Sequence, residues 1–378
     1  MSDLKVLQIT KFYPPHPGGI ESVTCDLTVG LNERGVLCDV LCANDSRPTV
    51  IDIMKEGYRV SRMANYGNFF STSLAPSIVS ELKRRWKDYD LLHVHFPDPL
   101  SALALFLVKP KNKIVIHWHS DIIRQKKLLK IYLPLLNWVL RRADLIIGTS
   151  PQYVNASSQL RAFLPKTVSI PIGIRTDHLQ YSPHSISNIK KRFGEKKLVF
   201  ALGRLVYYKG FEYLIAAARE ISDDAVILIG GTGGLDGKLR RLIQSEGVGT
   251  KVELLGMISP DDLGSYFKSC DLFCLPSIER SEAFGVVQLE AMALGKPVVS
   301  TNIAGSGVNW VNKNGETGIT VAPKDSSALA LAINRLLMDN TLYQQYAGAA
   351  YSRFNQFFRH ETMVDKVMAV YEKLQGKQ

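Results

Sequence analysis

Apolar and polar positions fall along this chain in two textures. Short, nearly continuous runs of Val, Ile and Leu recur at Lys5–Thr10, Val36–Ala43, Leu91–His95, Ile114–Trp118, Leu145–Thr149 and Thr167–Ile170. Such runs predict parallel strands covered on both faces, which lack the in–out alternation of a half-exposed strand. Stretches with helical spacing separate them, Gly19–Arg34 and Ser77–Lys87 among them. Around Pro171–Asn188 the texture breaks into Pro, Ser, His and Asn, which predicts a linker. The alternation then restarts. Strands are predicted at Leu198–Leu202, Ala225–Ile229, Val252–Leu255, Leu272–Leu275 and Pro297–Ser300. Helices are predicted at Gly210–Glu220, Leu235–Glu246, Phe284–Leu294, Ser326–Met338 and Leu342–Phe354. Two successive βαβ blocks imply an α/β protein with two doubly wound sheets facing each other. Ligands of such sheets lie beyond the carboxyl ends of the strands, so the expected site is the cleft between the domains. The last stretch, Glu361–Leu374, carries Met363, Val367, Val370 and Tyr371 at helical spacing and is expected to pack back across the linker.

Length and composition agree with two domains. The chain has 378 residues, 46% hydrophobic and 21% charged, with mean hydropathy near zero, which excludes a disordered chain or a collagen-like fibre. Net charge adds something new. It is +11, and 24 basic against 15 acidic residues put +9 of it in residues 1–190. That excess points to an anionic partner: a nucleic acid, a phosphorylated metabolite or a membrane surface. The five cysteines form no C-x-x-C pair, which reads as reduced and cytosolic, the thiols serving as small buried apolar groups. No signal segment or membrane span is expected.

Five motifs carry candidate chemistry. Gly18-Gly19-Ile20-Glu21 follows the first strand and opens a helix, where glycines let a ligand approach the backbone and a helix start favours negative charge. An ordinary tight turn has the same signature. Gly203-Arg204-Leu205-Val206-Tyr207-Tyr208-Lys209-Gly210 follows the first strand of the second block. Arg204 and Lys209 suit a diphosphate, the fork bidentate and the ammonium a point charge, or else are two solvated cations. Gly230-Gly231-Thr232-Gly233-Gly234 is a glycine wall or a turn, and a P-loop is excluded because Gly237-Lys238 leads into Leu239. Pro276 to Ala293 contains Glu282 and Glu290 eight residues apart. With Glu282 before a helix and Glu290 about two turns inside it, they would reach different ends of one extended ligand. Free amides at 284–286 would donate to it, and ordinary capping is the competing account. His117-Trp118-His119-Ser120-Asp121 ends a strand; His117 and His119 share a face, and Asp121 is a weak third candidate for a metal. His93 and His95 read as structural.

Taken in order, G-G-I-E, H-x-H, G-R-L-x-x-x-K-G and P-S-x-x-E-x-x-E-A-F-G-x-x-x-L-E-A-M-A resemble the family 4 retaining glycosyltransferases along the whole chain. The resemblance implies the GT-B fold: a Rossmann-like acceptor domain over 1–178, a nucleotide-sugar domain over 190–355, and a C-terminal crossover segment 356–378. It implies that Arg204 and Lys209 grip the donor diphosphate, that Glu290 binds the ribose, and that Glu282 lies by the donor sugar. Ala283, Phe284, Gly285 and Val286 would offer backbone to that sugar, with His119 near the reaction centre. Gly18 and Gly19 would close over the diphosphate, Met257 and Ile258 would meet the base, and Gly203 and Gly231 would line the nucleotide. The usual E-G-F-G reads Glu282-Ala283-Phe284-Gly285 here, an added methyl that shifts the sugar slightly.

The implied activity is metal-independent and needs no cofactor beyond its nucleotide-sugar donor. Similarity of Gly305–Asn312 to bacterial polysaccharide-pathway members favours GDP-mannose over a UDP-hexose. A GT-B epimerase or phosphorylase is the alternative within enzymes. No zinc-finger, RNP or helix-turn-helix signature accompanies the charge, so no nucleic acid is expected. Arg124–Arg142 mixes six cations with aliphatics and Trp138 and contains no acid, and Lys83, Arg84, Arg85 and Lys87 surround Trp86. These predict a peripheral enzyme on the cytoplasmic face of the membrane, acting on a lipid-diphosphate-linked glycan of O-antigen type.

Overall fold

The structure, a computed structural model, describes residues 4–69, 72–123 and 126–376, with backbone alone at 126 and 127. The chain divides into two compact units. One comprises residues up to Gly173 together with those from His360 onward, the other Ile174–Arg359.

In the first unit the strands are β1 (Lys5–Ile9), β2 (Leu37–Ala43), β3 (Val50–Ile53) and β4 (Arg59–Met63), a two-stranded ribbon of β5 (Asn68–Phe69) and β6 (Thr72–Ser73), then β7 (Leu91–Phe96), β8 (Lys113–Trp118), β9 (Leu145–Gly148) and β10 (Thr167–Ser169). The main sheet runs β10-β9-β8-β7-β1-β2-β4-β3 and is parallel except for the edge strand β3. Its helices are α1 (Gly19–Glu33), α2 (Ser77–Arg85), α3 (Pro99–Val108), α4 (Lys126–Arg142), α5 (Pro151–Ala156) and the terminal helix His360–Leu374. Strand order reverses between β1 and β7, so the loops that follow those two strands open at the switch point of the sheet. The terminal helix lies on α1. Met363, Val364, Val367, Val370 and Tyr371 are buried, Arg34 bonds Asp365 at 2.8 Å, and Gly30 leaves room for Val364 where a Cβ would collide.

The second unit repeats the plan. Its strands are β11 (Lys197–Leu202), β12 (Ala225–Gly230), β13 (Val252–Gly256), β14 (Leu272–Leu275), β15 (Val298–Thr301) and β16 (Gly318–Val321), in the all-parallel order β13-β12-β11-β14-β15-β16. Helices α6 (Pro183–Phe193), α7 (Phe211–Ala217), α8 (Asp236–Ser245), α9 (Pro260–Ser269), α10 (Val287–Ala293), α11 (Val308–Val311), α12 (Ser326–Met338) and α13 (Asn340–Phe357) cover it. Here the switch point falls between β11 and β14.

Two expectations change. The last third of the stretch read as a linker, Pro183–Asn188, opens α6. Ser182 caps it by accepting from the His184 amide at 3.2 Å, Pro183 takes its first position, and Gly194 ends it at φ +62°. The helix expected from Phe284 begins only at Val287, because Gly285 sits at φ +74° and holds the preceding residues in a loop.

Candidate active site

In the second unit two loops meet at the switch point. The loop after β11 runs from Gly203 to Gly210, and the loop after β14 from Pro276 to Val286. They are tied by the Ile278 amide on the Tyr208 carbonyl at 2.8 Å. Gly210, at φ +66°, lies so close to the Pro276 carbonyl that any Cβ would collide with it. This bracing brings Lys209, at the end of a 3₁₀ turn Tyr207–Lys209, against Glu282. Their charged atoms lie 2.6 Å apart and both side chains are about nine-tenths buried. Ser277 Oγ donates to the same carboxylate at 2.9 Å. An ammonium has three donors, so Lys209 keeps two for a ligand. Arg204 is exposed and bonds Tyr208 Oη at 3.2 Å.

Beyond Glu282, the amides of Ala283, Phe284, Gly285 and Val286 donate to no group among the described residues. The Phe284 ring is buried against Trp310 and Phe358, so only its backbone can face a ligand. Glu290 lies in the first turn of α10, not two turns inside as expected, and His178 Nε2 stands 3.1 Å from it. The glycines close the other wall. Gly203 leaves only 3.0 Å for a Cβ beside Lys209 Cε, while a Cβ on Gly231 would strike the Gly203 carbonyl. The Gly231 amide donates to Gly256 at 2.7 Å, just before Met257, which is 80% exposed, and half-buried Ile258.

In the first unit, Gly18 precedes α1 and Gly19 begins it. Arg62 holds the approach to that loop through the carbonyls of Tyr13 at 3.1 Å and Pro14 at 2.5 Å. The ends of β7 and β8 place four histidines in one stack. His95 pairs with His117 in register, and ring centroids lie 5.0 Å apart for His93–His95, 5.1 Å for His95–His119 and 4.4 Å for His117–His119. His93, His95 and His117 have nitrogens within 4.8 Å of one another. Their nitrogens are engaged elsewhere, however: His93 with Tyr371 and His117, and His95 with Gln8 and His119. Burial pushes all four pKa values down, His117 to about 3. Asp121 is not available as a ligand, since it accepts from Trp118 Nε1 at 3.0 Å and Ser157 Oγ at 2.6 Å.

Residues 17–178 match the family described as Glycosyltransferase Family 4, and residues 184–353 that described as Glycosyl transferases group 1. The chain is 32% identical to O-antigen chain mannosyltransferase C of Escherichia coli, over 98% of this chain and 99% of that one. The chain belongs to the family 4 glycosyltransferases. It is also 31% identical to the D-rhamnosyltransferase WbpZ of Pseudomonas aeruginosa, over 94% of this chain and 92% of the relative. Among solved structures, sucrose-phosphate synthase from Thermosynechococcus elongatus superposes with a TM-score of 0.82 at 22% identity, covering 99% and 100% of the two chains. Anabaena Alr3699/HepE, in complex with UDP and glucose, gives 0.79 at 23%, covering 98% and 99%. The glycosyltransferase thus has the GT-B fold.

Three residues of the glycosyltransferase that touch its candidate site residues were not read as site residues from the sequence: Ser277 on Glu282, His178 on Glu290 and His95 on His119; nor was Arg62, which holds the carbonyls of Tyr13 and Pro14 ahead of the glycines. The P-S that opens the motif around Glu282 was a signal for the first, and the paired H-x-H segments of β7 and β8 for the third; His178 and Arg62 gave none. The basic surface of the glycosyltransferase also changes. Arg84 is bonded to Glu81 and Arg85 to Asp39, so two of the four cations are paired; Lys83, Arg84 and Lys87 are exposed and Arg85 is half-buried. On α4, Arg142 binds Asp144 and two carbonyls, while Lys130 and Arg141 are exposed. Arg124 and the side chains of Lys126 and Lys127 lie outside the described residues. An apolar strip joins this surface: Leu103, Phe106 and Leu107 of α3 and Ile131 of α4 are exposed, and Phe106 packs edge-on to Trp138. Among the described residues no helix is long and apolar enough to cross a membrane.

Proposed function

We propose that this glycosyltransferase moves mannose from GDP-mannose to a lipid-diphosphate-linked glycan in cell-surface polysaccharide synthesis, retaining the anomeric configuration and using no metal ion. The observation that carries this reading is the loop pair of the second unit. Arg204 and the two remaining donors of Lys209 face a ligand beside a run of unbonded amides at 283–286. Charge develops on the diphosphate as the sugar leaves, and fixed cations and amides stabilise it. The departing phosphate oxygen takes the proton of the acceptor hydroxyl, which attacks from the same face. Glu282, already bound to Lys209 and Ser277, serves as an orienting acceptor rather than a nucleophile.

The names of the relatives, O-antigen chain mannosyltransferase and phosphatidyl-myo-inositol mannosyltransferase, support mannose and a lipid-linked acceptor. The exposed apolar residues of α3 and α4, with exposed Lys130 and Arg141 on α4 and Lys83 on the neighbouring α2, support peripheral work at the cytoplasmic leaflet. A thermal-shift screen of GDP, UDP and ADP tests the donor, because a ligand that binds the native state raises its melting temperature. GDP is expected to give the largest rise, and a rise with UDP alone would replace the donor by a UDP-hexose. EDTA is expected to leave turnover unchanged, and the product anomer read by NMR should match the donor.

A further inference from the structure

The hydrogen-bond chain from Gln8 through His95 to His119 has a fixed polarity. Gln8 Oε1 stands 2.7 Å from His95 Nε2. A carboxamide oxygen only accepts, so that nitrogen carries the proton. Burial holds His95 neutral, which leaves its Nδ1 a bare lone pair. His119 Nε2 lies 2.8 Å from that lone pair and must donate to it. His119, also neutral through burial, then keeps its own lone pair on Nδ1. That atom has no hydrogen-bond partner among the described residues and is not sealed off in the interior.

The neighbouring pair has no such direction. His93 Nδ1 meets Tyr371 Oη at 2.6 Å, a hydroxyl that both donates and accepts, and His93 Nε2 meets His117 Nδ1 at 3.2 Å. His117 Nε2 has no partner among the described residues, so either sense of the chain is allowed.

We propose that Gln8 and His95 are positioning residues that lock His119 in its Nε2-protonated tautomer, so that Nδ1 is presented as an acceptor to a substrate hydroxyl. The inference rests on the reading that places His119 beside the transferred sugar. It sets a chemical rule for that place: a sugar O–H is recognised, whereas a phosphate or carbonyl oxygen, which only accepts, is refused. The orientation of one amide decides the polarity. Gln8 Nε2 faces the Cys38 thiol without a full hydrogen bond. Turning the amide over would reverse every donor and leave His119 with an Nδ1–H.

Long-range nitrogen–proton correlation spectra of the full chain, labelled at histidine nitrogens, read the tautomer directly, with His119 assigned by its loss in His119→Asn. The expected wild-type result is the proton on Nε2, and a proton on Nδ1 overturns the proposal. Gln8→Met keeps the volume and removes the acceptor, so His119 should become a mixture of tautomers. Turnover should fall about fivefold, the equivalent of one hydrogen bond's net contribution. Affinity for GDP should not change, because Gln8 and His95 are not among the residues that would hold it: Arg204, Lys209 and Glu290 lie on the other unit, and the Gly18-Gly19 loop is untouched by the substitution. An unaltered tautomer in Gln8→Met overturns the role of Gln8. A mixed tautomer with full turnover upholds the lock and instead removes His119 from the sugar. Should the variant fail to fold, the wild-type spectrum alone decides.

Discussion

The second unit builds its site from charge, the first from neutral rings. Lys209 and Glu282 are an ion pair about nine-tenths buried, whereas the four histidines at the ends of β7 and β8 are stacked, hydrogen-bonded and uncharged. The ion pair lies where strand order reverses, and the histidine stack runs from β7, which borders the reversal in its own sheet, onto β8, so the two sheets offer comparable places and the side chains differentiate them. A departing diphosphate needs countercharge. A sugar hydroxyl needs direction, which a neutral imidazole of fixed tautomer supplies without drawing in an ion. The difference also predicts two kinds of fragility: loss of a partner in one unit, gain of a proton in the other.

The sharpest way to break the comparison is Lys209→Ala beside Arg204→Ala. Each should lower turnover by about a hundredfold or more, the cost of losing one transition-state donor. Only Lys209→Ala should also lower stability, by about 3 kcal/mol in urea unfolding, because it strands a buried carboxylate. Equal stability losses would show that the ion pair is not what distinguishes the second unit.

Acid should act on the first unit. An unfolded histidine titrates near ~6.5, and His117 in the fold at about 3. Between those values the unfolded chain binds more protons. The stability is therefore complete above the upper value and is lost as the pH falls toward the lower one. Calorimetric melting from pH 8 to 5 should show a falling Tm, with a shallower slope in His117→Gln. Parallel slopes would mean that the stack does not drive acid unfolding.

Smaller effects sharpen the picture. Ser277→Ala removes one hydrogen bond to Glu282 and should cost about 1 kcal/mol with only a few-fold loss of turnover. Leu107→Glu or Ile131→Glu should weaken flotation with anionic vesicles while leaving transfer to a water-soluble acceptor unchanged. Undiminished flotation would move the docking surface off α3 and α4.

The sequence texture located the fold better than the contacts. Strands such as β12, buried along its whole length, announce themselves as unbroken apolar runs, and α12 occupies the predicted Ser326–Met338. Other elements hid for physical reasons. α3 is apolar nearly all round, so it has no helical period to read, and α6 has the composition of a linker. Edge strand β3 and its neighbour β4 are too short and mixed to stand out. In the candidate site, the motif residues Arg204, Lys209, Glu282 and Glu290 were legible because they cluster in sequence. Their partnerships were not. Lys209 meets Glu282, Gln8 meets His95 and His93 meets Tyr371 only once the sheets and the terminal helix have formed.

That last pairing has a consequence for biosynthesis. The first unit is finished by a helix that the ribosome makes only after the entire second unit. Until then α1 lacks Val364 over Gly30, and His93 lacks its bond to Tyr371. Domains commonly fold as they emerge, N-terminal first. Here that order is inverted: the second unit is the first whose residues have all been made, and the first unit closes only after the His360–Leu374 helix has followed them.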